Sequence, residues 1–428
     1  MKTTNLIDKF WNNGLIIQEK GAVAKKKEEV EKKVEKKLKK KSDSDFFNEI
    51  LSDAGIDIPV AAKVDEVAVT KFYSTGALAL NALMSGSMNG GLAGNKITCL
   101  AGEEATGKSF IALQAVHKFL TTNPKGHVFY FDSEDAITEE MMTDRGIDTH
   151  RVHKKRVKTI QEFRYMAINI VNAYLESPPE NRLPMMFVLD SLGNLSTTKE
   201  INDITSGALN KKGEETRDMT RSPLIRGLFR VLTIKLGEAD VPMLMTNHTY
   251  ETMDPYGAKK AMSGGGGLKY AASTIIFLSK KKLRDEDKEV QGSILTATLE
   301  KSRFTRYGKS VEMLLTHDAG LDKWYGLFDL GLEGGLLIKG TGEKGNGIKA
   351  NNYKFPDGQI ASKKEIEESP ANYFGRATNF AAFEELCAKT FRFGKNENPP
   401  EDEIFSDDPM PDYPEISPEG KALMEMEA

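Results

Sequence analysis

The sequence predicts an α/β fold, with a mostly parallel, buried sheet covered by helices. Two observations lead there. Between Thr70 and about Leu330, short apolar or β-branched runs alternate with amphipathic stretches, the pattern of strands buried on both faces and joined by helices. Within that region Gly102-Glu103-Glu104-Ala105-Thr106-Gly107-Lys108-Ser109 fits the spacing G-x-x-x-x-G-K-[ST], with an apolar run before it and a helical pattern after it.

The elements follow in chain order. Residues 25–41 hold ten Lys and four Glu, with Val30, Val34 and Leu38 as a thin apolar stripe at spacing four, so a charged helix is expected. It reads as a solvated linker, as a basic arm for DNA phosphates, or as half of a coiled coil, within an N-terminal arm and oligomerisation segment over 1–69. Strands are expected at Ile97–Ala101, Val128–Phe131, Met185–Leu189, Val241–Thr246, Thr274–Leu278 and Ile294–Leu299, with helices at Phe110–Leu120 and Ile160–Leu175. Residues 331–396 are rich in glycine and then helix-like over Asn379–Lys389, which suggests a small C-terminal domain. Residues 397–428 carry eleven acids against one Lys, with many prolines, and read as a disordered acidic tail.

Composition excludes several classes. The net charge is −4, so no global charge argument for nucleic acid exists and any DNA site must be local. No run of 18 apolar residues is present, and no membrane span is expected. The first residues lack a secretory signal pattern, and the two cysteines, Cys99 and Cys387, form no disulfide or zinc framework, so a reducing cytoplasm is expected. Cys99 lies in an apolar run and reads as core.

The motif carries the chemistry. Its glycines let backbone N–H groups curl around phosphate oxygens, Lys108 reaches the β- and γ-phosphates, and Ser109 ligates Mg²⁺, so ATP and Mg²⁺ are the expected cofactors. A nucleotide hydrolase of this type also needs a carboxylate after a neighbouring strand for the Mg²⁺ shell, and Asp190 ends the run Met185–Leu189. It needs a group to orient or deprotonate water. Asp132 and Glu134 both follow the run Val128–Phe131, and by position alone they are equal candidates.

Ser74-Thr75-Gly76-Ala77-Leu78, the phosphate loop, Phe131-Asp132-Ser133-Glu134 and Leu189-Asp190-Ser191 resemble the core of the RecA family. The segments Asp190 to Leu195, Thr246-Asn247-His248-Thr249-Tyr250-Glu251-Thr252 and Glu300-Lys301-Ser302-Arg303 are similar to the UvsX-type recombinases of large tailed phages. The resemblance covers about residues 70–330. It implies a RecA-like P-loop ATPase core and a DNA-dependent ATPase. Such a protein would form filaments of itself on single-stranded DNA, pair them with homologous double-stranded DNA, and serve recombination, repair and recombination-dependent replication. A single-strand-binding protein and a recombination mediator are further partners it implies, and the location would be the host cytoplasm. Glu134 falls on the family's catalytic glutamate and Asp190 on its magnesium-shell aspartate. His248 falls on the γ-phosphate sensor. The nucleotide contacts run from Gly102, Glu103, Glu104 and Ala105 through Thr106, Gly107, Lys108 and Ser109 to Phe110. Met141 falls where bacterial RecA has the adenine-stacking tyrosine, a departure that bears on base recognition. Two segments resemble DNA-binding loops: Ser196–Arg221, with Lys211, Lys212 and Arg217, and Thr249–Gly267, with Tyr250, Tyr256, Lys259, Lys260 and Gly264, Gly265, Gly266 and Gly267. Glycine-rich backbone, lysines and aromatic rings suit a sequence-tolerant single-strand groove. Lys301 and Arg303 fall on residues that reach the neighbouring subunit's ATP.

Two other functions share the core. A hexameric DNA helicase is the alternative enzyme, and a non-catalytic ATP-dependent regulator is the alternative binding protein. Glu134 two residues beyond Asp132 and the glycine-rich segment after His248 favour the recombinase, and the intact set Lys108, Ser109, Glu134 and Asp190 opposes the regulator.

Overall fold

The computed structural model describes residues 69, 71–207, 219–251, 260–284, 289–342 and 345–394. The Lys-rich arm, the acidic tail, Lys211, Lys212, Arg217, Tyr256 and Lys259 lie outside the described residues. In chain order the elements are β1 (Phe72–Tyr73), α1 (Leu78–Ser85), β2 (Leu92–Ala93), β3 (Ile97–Gly102), α2 (Lys108–Thr122), β4 (His127–Asp132), α3 (Glu139–Thr143), β5 (Val152–Arg156), α4 (Ile160–Glu176), β6 (Met185–Asp190), α5 (Thr198–Ser206) and α6 (Arg221–Ala239). There follow β7 (Met243–Glu251), β8 (Lys260–Met262), α7 (Gly265–Ala271), β9 (Thr274–Arg284), β10 (Val290–Ser302), β11 (Ser310–Thr316), β12 (Gly320–Leu321), α8 (Leu327–Glu333), β13 (Ile338–Lys339), β14 (Asn352–Lys354), β15 (Ile360–Ser362), α9 (Lys363–Glu368), α10 (Ala371–Phe374) and α11 (Ala377–Phe391).

The main sheet has ten strands in the order β12-β11-β10-β9-β3-β7-β6-β4-β5, with β8 paired to β7. From β9 to β5 every pairing is parallel, and β10, β11 and β12 add an antiparallel meander at the other edge. Every residue of β3 is buried. Its side chains alternate between two cores, as pleating requires. Leu100 faces α1 and α2, together with Tyr130, Val188, Leu244 and Ile276. Ile97, Cys99 and Ala101 face the other way, with Phe131, Phe187, Met245 and Ile275, against Phe163 of α4, Phe229 of α6 and Leu268 of α7. Burial pushes the Cys99 thiol up to about 12, so it is an inert core residue.

The C-terminal segment joins the first core. Phe355, Phe374, Phe383 and Phe391 share one cluster with Leu80 and Leu83 of α1 and Phe119 of α2. Arg306 N donates to Phe391 O at 2.7 Å, tying this segment to the loop after β10, which the Thr305 hydroxyl ties in turn to Leu83 O of α1 at 2.8 Å.

Three stretches differ from the sequence-based expectation. The strands β9 and β10 run well past their apolar segments, because an antiparallel ribbon with exposed Lys280, Lys281 and Lys282 needs no continuous hydrophobic run. The segment expected as a first loop begins as a helix, α5, whose Thr197 and Glu200 form a reciprocal capping box. The glycine run is not a free loop either. Gly264 takes φ 89° as the N-cap of α7, and Gly265, Gly266 and Gly267 form its first turn. A Cβ on Gly267 would stand 3.0 Å from Arg226 Cα, so this glycine lets α7 pack closely on α6.

Candidate active site

The cleft is built at the carboxyl ends of the parallel strands. There β3 leads into the phosphate loop, β4 into Glu134, β6 into Asp190 and β7 into His248. Gly107 turns the chain from loop to helix at φ 78°, and a Cβ there would lie 2.9 Å from Leu295 Cδ1. Lys108 opens α2 and is buried. Its Nζ donates to Gly102 O at 3.1 Å and Glu103 O at 2.7 Å. Burial holds its ammonium below the usual lysine range, against the opposing pull of the Glu134, Asp190 and Glu104 carboxylates.

Asp190 is buried among hydroxyls. Tyr130 donates to its Oδ2 at 2.8 Å, and Thr246 donates to its Oδ1. Burial raises the Tyr130 phenol well above its usual range, with the Asp190 charge adding to it, so Tyr130 remains a donor. Asp132 and Glu134, equal by position, differ sharply in environment. The Asp132 carboxylate is buried and accepts the N–H groups of Glu134 at 3.0 Å, Asp135 at 2.8 Å and Ile137 at 3.3 Å, and it pairs with Lys154 at 3.2 Å. It shapes the turn. Glu134 stands in the cleft, where its Oε1 accepts the Ser191 hydroxyl at 2.9 Å and lies 3.1 Å from His248 Nε2.

One cleft of about 220 Å³ is lined by Glu104 through Phe110, Leu113, Glu134, Ala136, Ile137, Met141, Asp190 and His248. The structure thus brings the loop from Glu104 onward, Glu134, Asp190, His248 and Met141 to one cleft. Met141 sits on α3, whose N-cap Thr138 accepts Met141 N at 3.1 Å. Phe110 carries the Arg145 guanidinium 4.4 Å above its ring, and Arg145 also donates to Met141 O at 2.6 Å.

Lys301 and Arg303 are elsewhere. Thr98 of β3 pairs with Thr274, and Thr274 pairs with Ser302, whereas the loop leaves β3 at Gly102. Four residues of strand separate these levels, about 13 Å. Both side chains face the carboxyl end of α7, where Lys301 donates to Lys269 O and Arg303 to Tyr270 O at 3.4 Å. Burial, with Arg303 beside it, lowers the Lys301 ammonium. Tyr250, one residue before the end of β7, has its ring exposed, and Lys260 opens β8. The two strands are tied at the cleft, where Ser263 N donates to His248 O at 3.1 Å and Asn247 Nδ2 to Ser263 O at 2.8 Å.

Sequence reasoning missed Tyr130, Thr246, Ser191, Lys154 and Lys280. Tyr130 and Thr246 did leave a signal, as polar side chains inside otherwise apolar runs. Lys154 and Lys280 left none, since each lies on a strand far along the chain from the turn or loop it touches.

The donor set suits a magnesium nucleotide. Among the described residues no ion pair satisfies the buried Asp190 charge, and Ser109 lies at the same cleft. Among the described residues no cluster of three or more His, Cys, Asp or Glu could hold a metal.

The fold and this cleft are those of a P-loop nucleotide-binding core. The chain is 31% identical over 260 residues to the recombination and repair protein of Enterobacteria phage T4, a match covering 61% of this chain and 63% of that protein. It is 24% identical over 308 residues to protein RecA of Brucella suis and of Brucella canis, covering 72% of this chain and 78% of each RecA. No family model matches the chain. The chain spans a little under two thirds of the phage relative's length. The chain is similar to proteins of the RecA family, the phage recombination and repair protein among them. No helix among the described residues is long and apolar enough to cross a membrane.

The contrast between the two carboxylates is testable by melting. Asp132→Asn removes charge from an acceptor of three N–H groups and is expected to cost about 1–3 kcal/mol of stability. Glu134→Gln, in the open cleft, should leave the melting temperature near wild type. Equal melting temperatures for the two variants would contradict the assignment.

Proposed function

We propose that this chain is an ATP-dependent recombinase that forms filaments on single-stranded DNA and promotes pairing and strand exchange with homologous double-stranded DNA. The observation that carries it is the placement of Glu134 Oε1 between Ser191 and His248, in the same cleft as Lys108 and directly before the segment 249–267. Lys108 binds the β- and γ-phosphates, giving up its loop carbonyls to do so. Glu134 orients and deprotonates the attacking water. His248 links that carboxylate to the chain leading into the DNA segment, so occupancy at one end is felt at the other. Ser109 and Asp190 hold Mg²⁺, which would neutralise charge building on the phosphates. Met141 and the Arg145–Phe110 pair flank the base. The similarity to RecA proteins over most of the chain supports a recombinase over a ring helicase.

Single-stranded DNA lies on Tyr250, Tyr256, Lys259 and Lys260, with Lys211, Lys212 and Arg217 from the first segment and Gly264–Gly267 closing the second. Lys301 and Arg303 reach the ATP of the adjoining subunit in the filament, since they sit at the opposite strand ends from their own loop. A single-strand-binding protein and a loading mediator act with the filament, and the acidic tail restrains access of DNA to the basic surface. The work is done in the cytoplasm.

Two variants separate binding from turnover. Lys108→Ala should lose nucleotide affinity, whereas Glu134→Gln should bind ATP normally and lose about 10²- to 10⁴-fold in kcat, read as phosphate release. Wild-type turnover in Glu134→Gln would remove Glu134 from the reaction. For the subunit contact, Arg303→Ala and Lys108→Ala chains should each be inactive alone and regain activity when mixed. Confirmed co-assembly without recovered activity at any ratio would place Arg303 outside the neighbour's site.

A further inference from the structure

The phosphate-loop motif calls for one lysine, yet two stand against the loop. The carbonyl oxygens of Gly102 to Ala105 are divided between two ammonium groups. Lys108 Nζ takes Gly102 O at 3.1 Å and Glu103 O at 2.7 Å, and Lys280 Nζ takes Ala105 O at 2.9 Å and Glu104 O at 3.4 Å. Lys280 comes from β9, two residues beyond Leu278, which pairs with Gly102. Alternation along a strand puts both side chains on one face. Leu278 is buried beneath the loop, and the exposed Lys280 rises past its outer rim.

The peptide plane turns this contact into an effect on phosphate. A carbonyl and the following N–H point in opposite directions. An ammonium that holds the carbonyls of Glu104 and Ala105 therefore aims the N–H groups of Ala105 and Thr106 to the other side of the loop. Successive N–H groups aimed to one side are what make such a loop a nest for anions. Ala105 adopts φ 55°, a left-handed conformation that a residue with a Cβ holds only when its surroundings fix it. The fixing contact on its carbonyl is Lys280.

We propose that Lys280 is a second positioning lysine of the nucleotide site. It holds the outer carbonyls of the loop, and so keeps the N–H groups aimed, while Lys108 transfers its ammonium from Gly102 and Glu103 to the phosphates. The role rests on the reading of the chain as an ATPase. The neighbouring Lys282 is exposed on the same face of β9 and serves as the control for charge alone.

The test is the affinity of the full chain for a fluorescent ATP analogue with Mg²⁺, with melting temperatures taken without nucleotide. Lys280→Met should weaken binding about tenfold, the loss of a charge-assisted contact pair, at an unchanged melting temperature. Lys280→Arg, which keeps donors for both carbonyls, should restore it, and Lys282→Met should bind as wild type. At saturating ATP the kcat of Lys280→Met should stay near wild type, because the loop contact is the same before and during reaction. Wild-type affinity in Lys280→Met, or an equal loss in Lys282→Met, overturns the role. If the wild-type chain itself fails to bind the analogue, the ATPase reading fails and Lys280 falls with it. If wild type binds and Lys280→Met matches it, only the Lys280 role is lost.

Discussion

Parallel pairing sets Gly102 of β3 opposite His248 of β7, and Asp132 of β4 opposite Asp190 of β6. The rest of the site depends on that register. Parallel strands deliver all their carboxyl ends to one edge of the sheet, where α/β proteins bind ligands. A slip of one residue would send every side chain to the other face. Both faces of these strands are packed, on α1 and α2 below and on α4, α6 and α7 above, so the register is held from two sides.

On that edge the site is organised by desolvated charge. Lys108, Asp132 and Asp190 are all buried, and each is met differently. Asp132 is neutralised structurally, by Lys154 and by N–H groups of its own turn, and that turn carries Glu134 into the cleft. Asp190 is met by two hydroxyls and suits a cation brought by the substrate. Lys108 is met by carbonyl dipoles, which are weaker partners than phosphate and so release it readily. One buried carboxylate thus builds the turn while the other lines the cleft, although both end apolar strands in the same manner.

Much of this was legible in the sequence. The strands around β3 could be read because burial on both faces makes them continuous apolar runs, and the loop could be read because its chemistry demands glycine and lysine at fixed spacing. The meander, α5 and α7 could not. Half-exposed ribbons tolerate Lys280–Lys282, a polar helix such as α5 is set by its capping box, and the glycines of α7 answer to the backbone of Arg226 rather than to a loop. Position alone left Asp132 and Glu134 equal and only the resemblance chose between them, because the difference turns on which carboxylate meets backbone N–H groups. Lys280 lies 175 residues from Ala105, and only the pairing of β9 with β3 brings them together.

Lys301 and Arg303, at the end of β10, lie at the opposite edge of the sheet from the phosphate loop, the edge that the proposed filament would turn to a neighbour. In the proposed function, the contact between Glu134 and His248 would join ATP turnover to DNA through the segment after β7. Its most direct measure is phosphate release against rising single-stranded DNA, for wild type and for His248→Ala. Wild-type turnover should climb with DNA and saturate, while His248→Ala should bind ATP normally and give a rate that DNA leaves flat. Full DNA stimulation of His248→Ala would contradict the account.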